Sequence, residues 1–379
     1  MGRRSKVLIG ALLVFSLFVW GVMQATAATV DPGGKGDLLI YPLYIAGDGI
    51  QTNFYVTNTS DDQSVVAKVV LRSHKYSQEV LDFLIYLSPH DVFSATISYK
   101  DGKYVLTSTD DSFCTTDGVC ASETNPFEFE LTEPCDGKAD DSASYGYIEI
   151  IEAGSVGTDV TGKNTDGSVD KKDIVDAYWD NFANFKTGLD AADTLTGYAE
   201  VVFPGYDYAA YPATAIKDYG NRDQLGVTLP TTLGKHSETS LGDLDSLLAK
   251  NSLVVPVSEN AIAIPVLTFP TKLSSCPDNG NVTNTGPFFA GGDDNTTYEL
   301  TYYDLSENTT IEKNPIVSPV PKEEPNTLPE EVNIMVYDFP FNAGWTKVKF
   351  TKVDNAPVIG LVAEFTENGY TFLPVAYDR

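Results

Sequence analysis

Residues 79–107 read EVLDFLIYLSPHDVFSATISYKDGKYVLT, and this stretch decides the fold. β-Branched and aromatic residues fill three short runs, 80–87, 92–99 and 104–107. Ser88-Pro89-His90-Asp91 separates the first two, and Asp101-Gly102 separates the second pair. Asp-Gly is a strong two-residue hairpin signal because both positions tolerate positive φ. Short runs bounded by turn residues at this spacing predict antiparallel strands of a sandwich.

The same pattern extends outward. Upstream, 38–45 and 53–57 read as strands, and Asn58-Thr59-Ser60-Asp61-Asp62 turns the chain into a strand over 65–72. Downstream, 110–144 is polar and holds three cysteines, which predicts a stapled loop before a strand at 145–152. A helix is expected from the cap Asp170, with Ile174, Tyr178, Phe182 and Phe185 on one face and Gly188 at its end. A second helix is expected from Ser240 through Leu241, Leu244, Leu247 and Leu248. Both apolar stripes are core surfaces.

Between the helices, 197–203 reads as a strand, followed by an aromatic loop that carries Tyr206, Tyr208 and Tyr211. A strand over 261–269 contains Pro265, which predicts an edge or a bulge. Residues 314–331 hold five prolines and predict an extended surface connection. Strands at 332–337, 346–352, 358–365 and 370–375 finish the chain. The fold class that follows is mainly β, an antiparallel β-sandwich with a partly helical insertion. N-terminal strands (28–154) and C-terminal strands (256–379) are expected to interweave in one unit around the insertion (155–255).

Residues 1–27 carry Arg3, Arg4 and Lys6, an apolar run over 7–23, and Ala25-Thr26-Ala27. Basic start, short apolar core and small-x-small site form a secretory signal, so the mature chain is expected to begin at Ala28 outside the cytoplasm, in the periplasm, on the cell surface or beyond it. No later stretch has membrane length. Loss of three basic residues takes the formal charge from −28 to −31. Such a charge repels phosphate backbones and anionic lipid heads, which argues against nucleic acid and membrane surfaces as partners.

Cys114, Cys120, Cys135 and Cys276 are even in number, as expected for disulfides in an exported chain. Three pairings are possible; Cys114 with Cys120 and Cys135 with Cys276 is favoured, because Asp117-Gly118 can turn the chain tightly. A zinc site is the alternative, although the spacing matches no zinc pattern.

The sharpest local motif is residues 162–173, GKNTDGSVDKKD. Asn164, Asp166, Asp170 and Asp173 fall at positions 3, 5, 9 and 12 of a calcium loop, with the Ser168 carbonyl at position 7 and Gly167 at position 6. The motif resembles the loops of dockerins and other EF-hand-like proteins, which would imply a bound calcium. Gly162 departs from it, since position 1 normally supplies an Asp. An Asn-Thr-Asp-Gly turn followed by Asp170 as helix cap accounts for the same residues without an ion.

Catalytic patterns are weak. His74, His90 and His236 lie in unrelated contexts, and there is neither a Gly-x-Ser-x-Gly elbow nor a phosphate-cradling glycine loop. Several blocks (LLIYPLY at 38–44, EVLDFLIYLSPHDVFSAT at 79–96, YGYIEIIEAG at 145–154, VLTFPTK at 266–272) resemble a group of secreted bacterial surface proteins. That resemblance implies one β-rich unit and carries no activity. The expected role is therefore non-catalytic: a structural, adhesive or binding protein whose partners are other surface proteins or polysaccharide. The alternative is a calcium-dependent carbohydrate-binding or carbohydrate-cleaving protein, with Tyr206, Tyr208 and Tyr211 as its stacking surface.

Overall fold

A computed structural model describes residues 28–75, 77–132, 143–156, 160, 170–181, 192–219, 238–272, 296–306, 308–312, 316–318, 327–328, 330–351 and 355–378. The expected signal (1–27), Cys135, Cys276, His236, and Asn164, Asp166 and Ser168 of the calcium motif lie outside these residues.

The fold is mainly β, and its strand pairs are antiparallel. The first group of strands is β1 (Thr29–Val30), β2 (Leu38–Ile45), β3 (Gln51–Asn58), β4 (Ser64–Ser73), β5 (Glu79–Leu87), β6 (Val92–Lys100), β7 (Lys103–Ser108), β8 (Phe127–Glu130), β9 (Tyr145–Val156), β10 (Leu195–Val202), β11 (Tyr208–Pro212) and β12 (Thr214–Lys217). Helix α1 (Lys171–Asn181) lies between β9 and β10. These strands form one sheet in the order β1-β12-β2-β9-β4-β5 and a second in the order β11-β10-β3-β6-β7-β8. The two sheets share a core. Tyr41 of β2 meets Phe54 of β3 edge-on at 6.1 Å, and Phe83 of β5 meets Phe93 of β6 at 5.9 Å. Such aromatic pairs add about 0.5–1.5 kcal/mol each beyond their burial. The Tyr41 hydroxyl donates to the Tyr55 carbonyl at 2.7 Å, and it passes so close to Gly197 that a Cβ there would overlap it.

After helix α2 (Glu238–Leu248) come β13 (Ala249–Lys250), β14 (Ser252–Val257), β15 (Ile262–Thr268), β16 (Thr296–Asp304), β17 (Thr309–Glu312), β18 (Ile316–Ser318), β19 (Thr327–Leu328), β20 (Val332–Val336), β21 (Gly344–Phe350), β22 (Ala356–Pro357), β23 (Ile359–Thr366), β24 (Gly369–Pro374) and β25 (Ala376–Asp378). A sheet β17-β16-β21-β14-β25 faces a sheet β18-β20-β15-β23-β24 across a core that includes Leu253, Leu300, Val348, Leu267, Met335 and Val362. The other face of the second of these sheets, through Val266, Leu361, Ala363 and Phe372, joins the core of the first sandwich. Alternation along β15 and β23 thus sends neighbouring residues into different cores, which is why both strands are apolar on both faces.

The expectation that N- and C-terminal strands interweave is corrected by the sheets: no sheet among the described residues contains strands from both groups. What unites them is the shared core and a set of bonds between them. The amides of Glu331 and Val332 donate to the His74 carbonyl at 2.9 and 3.3 Å, and the Ser77 hydroxyl donates to the Lys272 carbonyl at 3.0 Å. Both helices fall within 155–255 as expected, but β10, β11 and β12 from the same stretch complete the first sandwich. Sequence periodicity reports which face a strand buries and says nothing of which distant strand lies beside it.

Helix α1 begins as expected, with Asp170 Oδ1 accepting the Lys172 amide at 3.0 Å and Ile174, Val175 and Tyr178 buried. Its described part ends at Asn181, so Phe182, Phe185 and Gly188 are outside it. Helix α2 starts at Glu238, two residues before the expected cap Ser240, and buries Leu244 and Leu248. Part of the expected loop at 110–144 is the strand β8, and the tyrosine loop is half strand, since β11 pairs with β10 from Tyr208 to Pro212. The proline-rich stretch contributes β18 and β19, and Leu328 is fully buried.

Pro265 corrects the edge assignment in an instructive way. β15 is an inner strand, yet β20 pairs with it only from Val266 to Thr268, so Pro265 sits in the half with a single neighbour, β23. Pro256 repeats this arrangement in β14, whose pairing with β25 covers Ser252 to Val254 only. Pro42 stands where the register of β2 on β9 shifts between Tyr41 and Tyr44. A residue without an N–H is tolerated where one side of the ladder is missing or bulged.

Cys114 and Cys120 are disulfide-bonded, as favoured from the sequence, and the bridged loop lies against the Lys172 side chain of α1. Replacing both cysteines by serine is expected to lower stability by about 2 kcal/mol, because a short closed loop restricts the unfolded chain only modestly. Urea unfolding of the double variant measures it; an unchanged midpoint would mean the bridge constrains nothing. No helix among the described residues is long and apolar enough to cross a membrane.

Candidate binding face on the second sheet

The outer face of the sheet β11-β10-β3-β6-β7-β8 is built by strict alternation. Residues 51–58 read QTNFYVTN: Thr52, Phe54, Val56 and Asn58 point into the core, while Gln51, Asn53, Tyr55 and Thr57 point out. The register then lines up one transverse row across all six strands: Glu128, Thr107, Thr96, Asn53, Glu200, Ala210. A parallel row beside it runs Ser94, Tyr55, Tyr198, Pro212.

Tyr55 and Tyr198 stack face to face with ring centres 4.6 Å apart and planes 17° apart, and Tyr198 is 42% exposed. Next to them a depression of about 360 Å³ is lined by Asn53, Tyr55, Ser94, Thr96, Thr107 and Thr109, among others. Its polar groups are oriented from beneath. Thr96 Oγ1 donates to Asn53 Oδ1 at 2.9 Å, so the Asn53 amide nitrogen is turned away from that bond. The Tyr55 hydroxyl donates to Glu200 Oε2 at 3.3 Å. Partial burial, followed by the Glu200 charge, raises the Tyr55 hydroxyl above the ordinary phenol range, which keeps it a donor at neutral pH. The Ser94 amide and hydroxyl both donate to Asp110 Oδ2, at 3.0 and 3.3 Å, which fixes the floor. Burial raises the Asp110 carboxyl against the opposing effect of its hydrogen bonds to Ser112. The result is a flat tract of hydroxyl and amide groups flanked by aromatic surface and ended by a carboxylate on each side.

The tyrosines singled out from the sequence are divided by the fold. Tyr206 and Tyr208 are 46% and 63% exposed and line a second depression, about 510 Å³, between the turn at 205–208 and the turn at 368–370. Tyr206 meets Tyr370 edge-on at 5.8 Å. Tyr211 is buried: its ring packs on Phe372 at 5.0 Å and its hydroxyl donates to the Leu43 carbonyl, so it cannot present a surface to a ligand. Strand alternation explains the split, because Tyr208 and Tyr211 are an odd number of residues apart.

Of the calcium motif, Asp170 and Asp173 are described, and Asp170 is engaged as the helix cap. No group of three or more metal-binding side chains occurs among the described residues. His74 is buried, stacked on Tyr145 at 3.8 Å, and its Nδ1 lies 3.2 Å from the Tyr145 carbonyl. His90 sits in its turn 3.2 Å from Asp61 with most of its side chain exposed.

Sequence reasoning overlooked Asn53, Tyr55, Thr96, Tyr198 and Glu200. Their signal was available for the central strand: the outward residues of β3 are Gln51, Asn53, Tyr55 and Thr57, where a merely solvated face carries Lys and Glu. Comparison of the chain with models of known protein families finds no match, and comparison with curated proteins finds none either.

Proposed function

We propose that this is an exported, non-catalytic binding protein that holds a neutral polysaccharide on the outer face of its second sheet. The observation that carries the reading is the Tyr55–Tyr198 stack set beside a transverse row of threonine and asparagine side chains. A sugar ring has apolar C–H faces and a polar rim, so it fits aromatic surface flanked by amide and hydroxyl groups. The formal charge of −28 disfavours an anionic polymer, and Glu128 at one end of the row and Glu200 one strand from the other end act in the same direction. Glu128 and Glu200 stand on strands separated by β7, β6 and β3, too far along the row to act as a cleaving pair on one bond. Adhesion to a glycan-bearing surface is the role this supports.

The full chain, incubated with insoluble cellulose, xylan, mannan and starch, is expected to co-sediment with at least one of them. Tyr198→Ala is expected to weaken that binding roughly 2- to 13-fold, the loss of one aromatic contact of about 0.5–1.5 kcal/mol. Equal binding by the wild type and Tyr198→Ala would move the site off this face. Binding only to an anionic polymer such as pectate would overturn the reading altogether.

A further inference from the structure

The opposite sheet of the first sandwich carries a cluster with a different chemistry. Lys68 of β4 is 1% exposed, and its Nζ lies 2.9 Å from Asp82 Oδ2 and 3.7 Å from Glu79 Oε1, both on the paired strand β5. Register places Asp82 opposite Val70, one step diagonally from Lys68, which puts amine and carboxyl on the same face of the hairpin. A buried ammonium needs three acceptors, yet among the described residues the carboxylates of Asp82 and Glu79 are the only groups paired with Lys68 Nζ. Burial lowers the affinity of Lys68 for its proton, against the opposing pull of Glu79 and Asp82. Burial likewise pushes Glu79 up to about 7, against Lys68 and Arg72, and Asp82 adds to the rise. A buried amine that gives up a proton more readily than usual, a carboxyl in contact with it and a second carboxyl that holds its proton more firmly than usual are the three parts of an amide-forming site.

We propose that Lys68 and Asp82 become joined by an amide bond once β4 and β5 have paired, with Glu79 carrying the proton. This goes beyond glycan binding and does not depend on it. In the step, the Lys68 ammonium first passes one proton to the Asp82 carboxylate 2.9 Å away, which leaves a neutral amine and a neutral acid. Lys68 Nζ then attacks Asp82 Cγ, and the carbonyl electron pair moves onto oxygen as Glu79 delivers its proton there. The Glu79 carboxylate takes back one proton from the nitrogen. One of the two hydroxyls on Cγ leaves as water with the Glu79 proton, the other returns its proton to Glu79 as the carbonyl re-forms, and the C–N bond remains. An ion pair becomes a neutral amide plus one water, and no oxidant or cofactor is consumed. Removal of two charges from a buried place favours the product. Glu79 and Asp82 are each 28% exposed, which gives the water a way out.

Lys171, also buried, shows what an unreactive pair looks like. Lys171 Nζ contacts Asp91, but it also donates to the Tyr86 carbonyl at 3.2 Å and the Ser112 hydroxyl at 3.3 Å, so its ammonium is solvated by the protein. Asp91 in turn accepts the amides of Ser88 and Val92 at 3.0 Å each, so its oxygens are already engaged by the backbone.

Peptide mapping of the purified, reduced and alkylated full chain tests the proposal. Trypsin is expected not to cut after Lys68, and the peptide that runs through Lys68 to Arg72 is expected to be covalently attached to the one that carries Asp82. Together they should be lighter by one water than their sequences. Glu79→Gln is expected to restore cleavage at Lys68 and the full mass. Separate linear peptides from the wild type would overturn the proposal. So would a lost water that maps elsewhere, to Lys171 and Asp91 or to a succinimide at an Asp-Gly step, and so would a link that persists in Glu79→Gln.

Discussion

Replacing Glu149 by alanine is expected to destabilise the folded protein by about 3–5 kcal/mol, more than any other single change considered above. Glu149 Oε2 lies 2.5 Å from Arg72 Nε, both side chains are buried, and they join the neighbouring strands β4 and β9. The Arg72 Nη1 also donates to the Ser77 carbonyl at 3.1 Å. Burial alone would lower the affinity of Arg72 for its proton, but Glu149 and Tyr147 outweigh it and the guanidinium is held more firmly charged than usual. Arginine cannot escape by losing its proton, so without Glu149 its charge stays in the sheet lacking that carboxylate. Glu149→Gln retains an acceptor and should lose less. Changing both residues to methionine should recover most of the loss, because two apolar side chains remove the desolvation problem with the pair. Urea midpoints of the three variants decide the matter; a loss of under about 1 kcal/mol for Glu149→Ala would mean that Arg72 is adequately held by its other contacts.

A chain that stops after residue 150 is expected not to fold at all. Such a cut passes through β9, whose ladder with β4 continues to Val156, and it discards β10, β11 and β12. β3 would lose one of its two neighbours along its whole length, since Gln51 to Asn58 pair with Val202 to Leu195. Two sheets would then have freshly exposed edges and half a core, which a shortened chain of this size cannot offset. Circular dichroism and limited proteolysis report the outcome: a protease-resistant, cooperatively unfolding 28–150 fragment would show that β10–β12 are dispensable.

Local structure was legible wherever a period and a turn coincided. Strand 38–45 was read with its observed ends, and β3 through β7, β9 and β10 within a few residues, because apolar alternation stops at Asp101-Gly102 and its equivalents. β16 is the exception: TTYELTYYD alternates cleanly, with Tyr298, Leu300 and Tyr302 buried, and Gly291-Gly292-Asp293-Asp294-Asn295 precedes it as a turn signal, yet it went unread. Pairing was less legible than position. β10 completes a sheet begun by β3, more than a hundred residues earlier, and only the match of two faces records that. The binding face was hidden for a related reason: Asn53 and Glu200 are neighbours through register alone, and register is a property of two strands together.

Pro265, Pro256 and Pro42 have a consequence for how the chain finds its pairing. Were β20 to slide along β15 toward Ile262, or β25 along β14 toward Val257, the extended ladder would soon meet a residue with no N–H to offer. A slipped arrangement therefore gains less than the correct one just where continued zippering would otherwise reward it. Pro42 bars a smooth, unbulged alignment of β2 on β9 in the same manner. Missing donors, placed where the native ladder does not need them, act as stops that select one registry during folding and leave no mark on the contacts of the finished structure.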